Sequence, residues 1–143
     1  MIHGSLSEVL RAHRAHIQPV SVRFVTGHHS DVLVRAVGSD WFSGETMGSP
    51  ARGLVVPFPT IQTLSLPAQS ITAAPIQRQT LPMISTMLNA LAEVHKDLVA
   101  HSLHGHYAGR LGHVGVDYCE FVTHSQTVIL PFTQIGLWFH VVE

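Results

Sequence analysis

Three short blocks occur twice in this chain of 143 residues, in the same order, and that recurrence limits the folds open to it. Leu103-His104-Gly105-His106 follows Val25-Thr26-Gly27-His28 at a distance of 78 residues. Val114-Gly115-Val116-Asp117-Tyr118 follows Val37-Gly38-Ser39-Asp40-Trp41 at 77, which implies one residue lost from the intervening strand. Ile129-Leu130-Pro131-Phe132 follows Val55-Val56-Pro57-Phe58 at 74, the loop between being shorter. Ile135 answers Ile61. Two copies of one small unit are the economical reading, because unrelated units share glycine turns but not a recurring aspartate and proline.

Each unit reads as short strands behind a helix. Ser5 and Glu8 have capping-box spacing, and Leu6, Val9, Leu10 and His13 share a face, which predicts a helix over Leu6 to His16. Pro19 stops it, and Val20, Val22 and Phe24 alternate with Ser21, Arg23 and Val25 at the period of a strand. Strands follow at Val32 to Val37, from Asp40, at Leu54 to Phe58 and at Ile61 to Leu64, separated by turns and by the loop Gly44 to Gly53. Residues 67–79 carry Pro67 and Pro75 and no sustained period, so they read as a linker. Thr80 has the character of an N-cap, and Ile84, Met87, Leu88, Leu91, Val94 and Leu98 continue at helical steps. The expected organisation is a first unit over 1–66, a linker over 67–79 and a second unit over 80–143.

The run Gly105-His106-Tyr107-Ala108-Gly109-Arg110-Leu111 with Val114-Gly115-Val116-Asp117 resembles the first signature of Sm-like proteins. That signature has a glycine turn, a strand carrying glycine and leucine, and an aspartate opening the next strand. The leading helix and the five-strand count agree with it. More narrowly, the Val-Gly-x-Asp-aromatic turn and the late Val-Pro-Phe or Leu-Pro-Phe strand of each half are similar to a group of actinobacterial proteins with two tandem Sm-like repeats and no assigned activity. The resemblance implies a mainly β fold with short helices: tandem duplicated Sm-like or SH3-like small β-barrels, each preceded by a helix. It does not carry an RNA site. Sm-like proteins that bind RNA usually place an asparagine four residues after the aspartate and an arginine-glycine pair at the end of the fourth strand. Gly44 and Phe121, and Pro57-Phe58 and Pro131-Phe132, stand there instead.

Composition agrees that nucleic acid is a secondary candidate. The formal net charge is −1 and Lys96 is the only lysine, which is no basic footprint. Arg35 and Arg110 are the residues that weak RNA or DNA binding would use. Only 12% of residues are charged against 45% hydrophobic, so the surface relies on Ser, Thr, Gln, Gly and 12 His, and invites self-association. The N-terminus has no secretory pattern and no apolar run is long enough to span a membrane, so a soluble cytoplasmic protein is expected.

Catalysis is not expected. No phosphate loop, GxSxG elbow or HExxH helix is present. Cys119 lies on an expected strand without a cation beside it, and reads as a buried inert thiol. Gly27, Asp40, Gly105 and Asp117 read as turn residues, the carboxylates accepting backbone N–H groups. The densest chemistry is His101, His104, His106 and His113, of which His104, His106 and His113 form the candidate metal set, His104 and His106 being two apart on one strand. The final strand is apolar on both faces, and Trp138 and Phe139 are the candidate interface residues. The expectation is a non-catalytic interaction module without a cofactor or an identified small-molecule ligand, homo-oligomeric through edge strands. Weak nucleic-acid binding ranks second and a histidine-dependent metal function third.

Overall fold

A computed structural model describes residues 5–14, 18–66 and 82–142. Helix α1 (Leu6–Arg14) opens with the expected reciprocal cap: the Glu8 N–H donates to Ser5 Oγ at 3.3 Å, and the Ser5 N–H donates to Glu8 Oε2 at 3.2 Å. Strands β1 (Val20–Phe24), β2 (His29–Val37), β3 (Trp41–Thr46) and β4 (Gly53–Pro57) follow, then a 3₁₀ turn at Phe58–Thr60 and β5 (Ile61–Ser65). Helix α2 (Ile84–Glu93) leads into β6 (Leu98–Ser102), β7 (Gly105–Val114), β8 (Tyr118–Thr123), β9 (Thr127–Pro131) and β10 (Trp138–Val141). The expected linker and the Thr80 cap lie outside the described residues.

The fold is mainly β, but its ten strands join one open sheet instead of two separate barrels. Their order is β5-β1-β2-β3-β4-β10-β6-β7-β8-β9, and β5 and β9 are the two free edges. Within each run of five, the fifth strand lies beside the first, and the second, third and fourth follow. The two runs meet where β4 pairs antiparallel with β10, Val55 opposite Phe139 and Leu54 opposite His140. Register agrees strand by strand. Val37 faces Phe42 as Val114 faces Cys119, and each second strand carries a bulge, between Val34 and Ala36 or between Leu111 and Val114. Arg23 faces His29, whereas His101 faces His106. The residue missing from the second run therefore falls in the β6–β7 turn, not in a strand as the block spacing implied.

Strand β10 is not an edge. It sits between β4 and β6, which is why its sequence is apolar on both faces. Alternation sends Trp138 into a core with Leu10, Val22, Phe24 and Val56, and Phe139 into a second core with Leu88, Leu98, Phe121 and Leu130. The exchange is mutual, since Trp41 and Val55 from the first run are buried in that second core. Helix α1 packs on β2 and helix α2 on β7.

Helix α2 is shorter than its apolar spacing suggests. His95 takes a left-handed conformation (φ 53°), its N–H donates to Ala92 O at 3.2 Å, and the Lys96 N–H donates to Leu91 O at 3.5 Å. That is a Schellman-type stop, and it releases Leu98 to begin β6. No helix among the described residues is long and apolar enough to cross a membrane.

Candidate functional site: a histidine cleft at the joint

Antiparallel pairing places directly opposite residues on one sheet face, and residues two apart on a strand share that face. His101 on β6 lies opposite His106 on β7 and opposite Trp138 on β10. His140, two residues beyond Trp138, therefore shares their face. The β1–β2 turn brings His28 to the same place, its ring edge-on to His101 with centroids 5.6 Å apart. These four histidines, with Thr26, Val99, Ser102, Leu103 and Gly105, line a cleft of about 400 Å³ at the junction of the two five-strand runs.

Stacking fixes the floor of the cleft. Trp138 lies between Phe24 (centroids 4.5 Å, planes 13° apart) and His101 (3.9 Å, 6°). His101 Nε2 and His140 Nδ1 share a hydrogen bond of 2.9 Å, and His28 Nδ1 is hydrogen-bonded to Thr26 Oγ1 at 2.9 Å. Burial first, then the neighbouring His140, His28 and His106, push the His101 imidazole down from 6.5 to about 4. Burial, Arg52 and His106 lower His140 as well. Both rings are therefore held neutral at physiological pH, with lone pairs available as acceptors or ligands.

The metal set expected from the sequence is only partly assembled. His106 joins the cleft, whereas His104 falls in the β6–β7 turn and His113 lies further along β7 beside Tyr118, 6.1 Å between centroids. As the rings stand, no group of three or more His, Cys, Asp or Glu among the described residues is gathered to hold a metal. His28 and His140 stand outside the expected metal set: His140 comes to His101 through the β6–β10 pairing, and His28 only through the β4–β10 joint. The signal was present in the His-His pair of the first turn and in a histidine alternating with tryptophan on an otherwise apolar strand. A site built across the joint uses non-equivalent residues of the two halves, so it need not occur twice.

The remaining candidates have local roles. Asp40 does more than hold its turn: its carboxylate Oδ1 accepts the Ile84 N–H at 3.0 Å, and its backbone carbonyl accepts the Phe58 N–H at 2.9 Å. Asp117 matches the second contact, its carbonyl accepting the Phe132 N–H at 2.9 Å, and is otherwise exposed. Gly27 needs its freedom at φ 93°, and Gly105 adopts φ 158°. Arg35 lies 3.6 Å from Glu45, and Arg110 donates to Asp97 at 2.6 Å, so both cations are matched by a neighbouring carboxylate. Cys119 is fully buried, and burial pushes its thiol up to about 12. Trp138 and Phe139 line the joint inside the chain. No protein-family model, curated protein or solved structure matches this chain.

Proposed function

We propose that the chain is a tandem pair of Sm-like units acting as a non-catalytic scaffold, which assembles head to tail by continuing its own sheet from one copy to the next. The observation that carries this reading is the β4–β10 joint, whose two halves recur unpaired at the ends of the sheet. Strand β9 stands to β8 as β4 stands to β3, with Cys119 opposite Leu130 as Phe42 is opposite Val56. Strand β5 stands to β1 as β10 stands to β6, with Val22 opposite Leu64 as Ala100 is opposite Phe139. Pairing β9 of one copy with β5 of the next sets Ile129 against Leu64 and Val128 against Ser65.

Burial supports the same partner. Val55 in the joint is 2% exposed, while its counterpart Ile129 is 53% exposed. Neither free edge carries a charged residue to discourage pairing: the strands read Ile-Gln-Thr-Leu-Ser and Thr-Val-Ile-Leu-Pro. The helix contact extends as well. Asp40 caps α2 of the following half, and Asp117 is exposed beside Val116, itself 85% exposed. In an assembly Asp117 would face the first turn of α1 of the next copy, Leu6 standing where Ile84 stands. Such a contact is heterologous, so it closes into a ring or extends as a filament.

Light scattering after size exclusion, with native mass spectrometry, tests the assembly on the untagged chain across micromolar concentrations. The expected result is a species larger than one chain that Ile129→Lys and Leu64→Lys each convert to folded monomer. A monodisperse monomer, or an oligomer indifferent to both substitutions, overturns the reading.

A further inference from the structure

We propose that the cleft at the joint binds one divalent transition-metal ion of the zinc class, with His101, His106 and His140 as ligands from three adjacent strands and His28 completing the set from the opposite half. The inference rests on the joint within one chain, and stands whether or not copies assemble.

Spacing is the first argument. Imidazoles that each give one nitrogen to a tetrahedral zinc at about 2.0 Å have ring centroids about 5 Å apart and ligating nitrogens about 3.3 Å apart. The His101 centroid lies 5.0 Å from that of His140, 5.6 Å from His28 and 5.9 Å from His106. The facing nitrogens of His101 and His140 are 2.9 Å apart, held by a shared proton that a cation would replace. His101 therefore already stands near ligand separation from each of the other three rings. The other three flank His101 and are not yet gathered on one point, so binding requires inward rotation of His106 and His28, both exposed at the cleft mouth.

The donor set has the right character. Metal sites bind neutral imidazole, and a ligating ring is usually oriented by a hydrogen bond at its other nitrogen. Thr26 occupies His28 Nδ1 and leaves Nε2 for the ion. Trp138 and Phe24 beneath His101 form an aromatic wall that covers one face of its ring and leaves the cleft side for an ion. Nitrogen ligands without a carboxylate in the lining select zinc, nickel or copper over calcium or magnesium. An ion bound there would tie the β1–β2 turn to β6, β7 and β10, and so fasten one half of the sheet to the other.

The test uses untagged, chelator-treated protein, titrated with zinc chloride by calorimetry and with cobalt chloride by visible absorption. One ion per chain is expected, with intense cobalt bands of a tetrahedral nitrogen site. His106→Gln and His140→Gln should each weaken zinc binding by more than about tenfold, while His104→Gln and His113→Gln leave it unchanged. Circular dichroism of the His106→Gln protein, altered only at an exposed ring, separates lost ligation from lost folding. Absence of binding by the folded wild type, weak octahedral cobalt bands, or a dependence on His104 or His113 in place of His106 and His140 overturns the proposal.

Discussion

Asp40 caps helix α2 from 44 residues away, its carboxylate accepting the Ile84 N–H at 3.0 Å. The same turn holds the segment just before the helix twice more, since the Ser39 N–H and the Trp41 indole N–H donate to Pro82 O at 3.0 and 2.9 Å. A cap supplied by the other half couples helix formation to closure of the joint. Asp40→Ala should cost about 1–2 kcal/mol in urea unfolding, and Asp40→Asn distinctly less, because asparagine still offers an acceptor oxygen. Asp117→Ala, without such a helix in its own chain, should cost less than Asp40→Ala in the isolated chain.

Glycine in the Val-Gly-x-Asp-aromatic motif is required by a ring. A Cβ on Gly38 would run into the Trp41 indole and the Pro82 carbonyl, and one on Gly115 would run into the Tyr118 ring. Trp41 is 3% exposed and cannot withdraw, whereas Tyr118 is half-buried at the uncovered end. Gly38→Ala should therefore destabilise by about 2–3 kcal/mol and Gly115→Ala by about 1 kcal/mol or less, measured by urea unfolding. Equal costs at the two sites would contradict the difference in burial.

Much of this arrangement was legible because it is local. The cap of Ser5 and Glu8, the period-2 strand Val20 to Phe24 and the strands around the two aspartates depend on neighbours a few residues away, and each appears where its pattern placed it. What the residues could not show was the partner of each strand. Apolar faces on both sides of Trp138 and Phe139 signalled two-sided burial, yet nothing local distinguishes a strand between two halves from an edge awaiting another chain. The cleft was obscured in the same way: His28, His101 and His140 are distant in sequence, and meet only through the β6–β10 and β4–β10 pairings. Asp40 read as a turn residue because its helix partner lies 44 residues further along the chain.

Helix α2 ends on a residue poorly suited to its backbone. His95 holds φ 53°, a region that costs a residue with a Cβ about 1 kcal/mol. His95→Gly should therefore stabilise the chain by about 0.5–1 kcal/mol, less the greater entropy of glycine when unfolded, and His95→Asn by a smaller amount. Thermal unfolding checks both. His95→Val should destabilise, because a β-branched side chain tolerates that conformation least.

Acid should loosen the joint. His101 titrates near 4 in the folded chain and near 6.5 when unfolded, so the unfolded state takes up the proton first as pH falls. Its contribution is intact above pH 6.5, declines between 6.5 and 4, and is flat below. His140, also lowered, adds to the same slope. With a chelator present, the melting temperature should drop by several degrees between pH 7 and pH 4.5, part of it from this pair. His101→Gln removes the stack on Trp138 and so lowers stability at pH 7, but it should flatten the pH dependence. A slope unchanged by His101→Gln would show that other groups govern the acid response.

Trp138 joins the two halves through a side chain that serves both the core and the cleft. It is 6% exposed, stacked between Phe24 and His101, and its indole Nε1 has no hydrogen-bond partner among the described residues. Removing the ring should be severe: Trp138→Ala loses both stacks and opens a cavity, for about 3–5 kcal/mol. Trp138→Phe keeps an aromatic surface and deletes an unpartnered buried donor, so the gain from polar relief offsets part of the lost volume. Its cost should stay below about 1.5 kcal/mol by urea unfolding. The two substitutions also separate stability from joint geometry. If the stack orders the cleft, Trp138→Phe should shift the His101 ring resonances in NMR while leaving those of His113, within β7's bulge, in place.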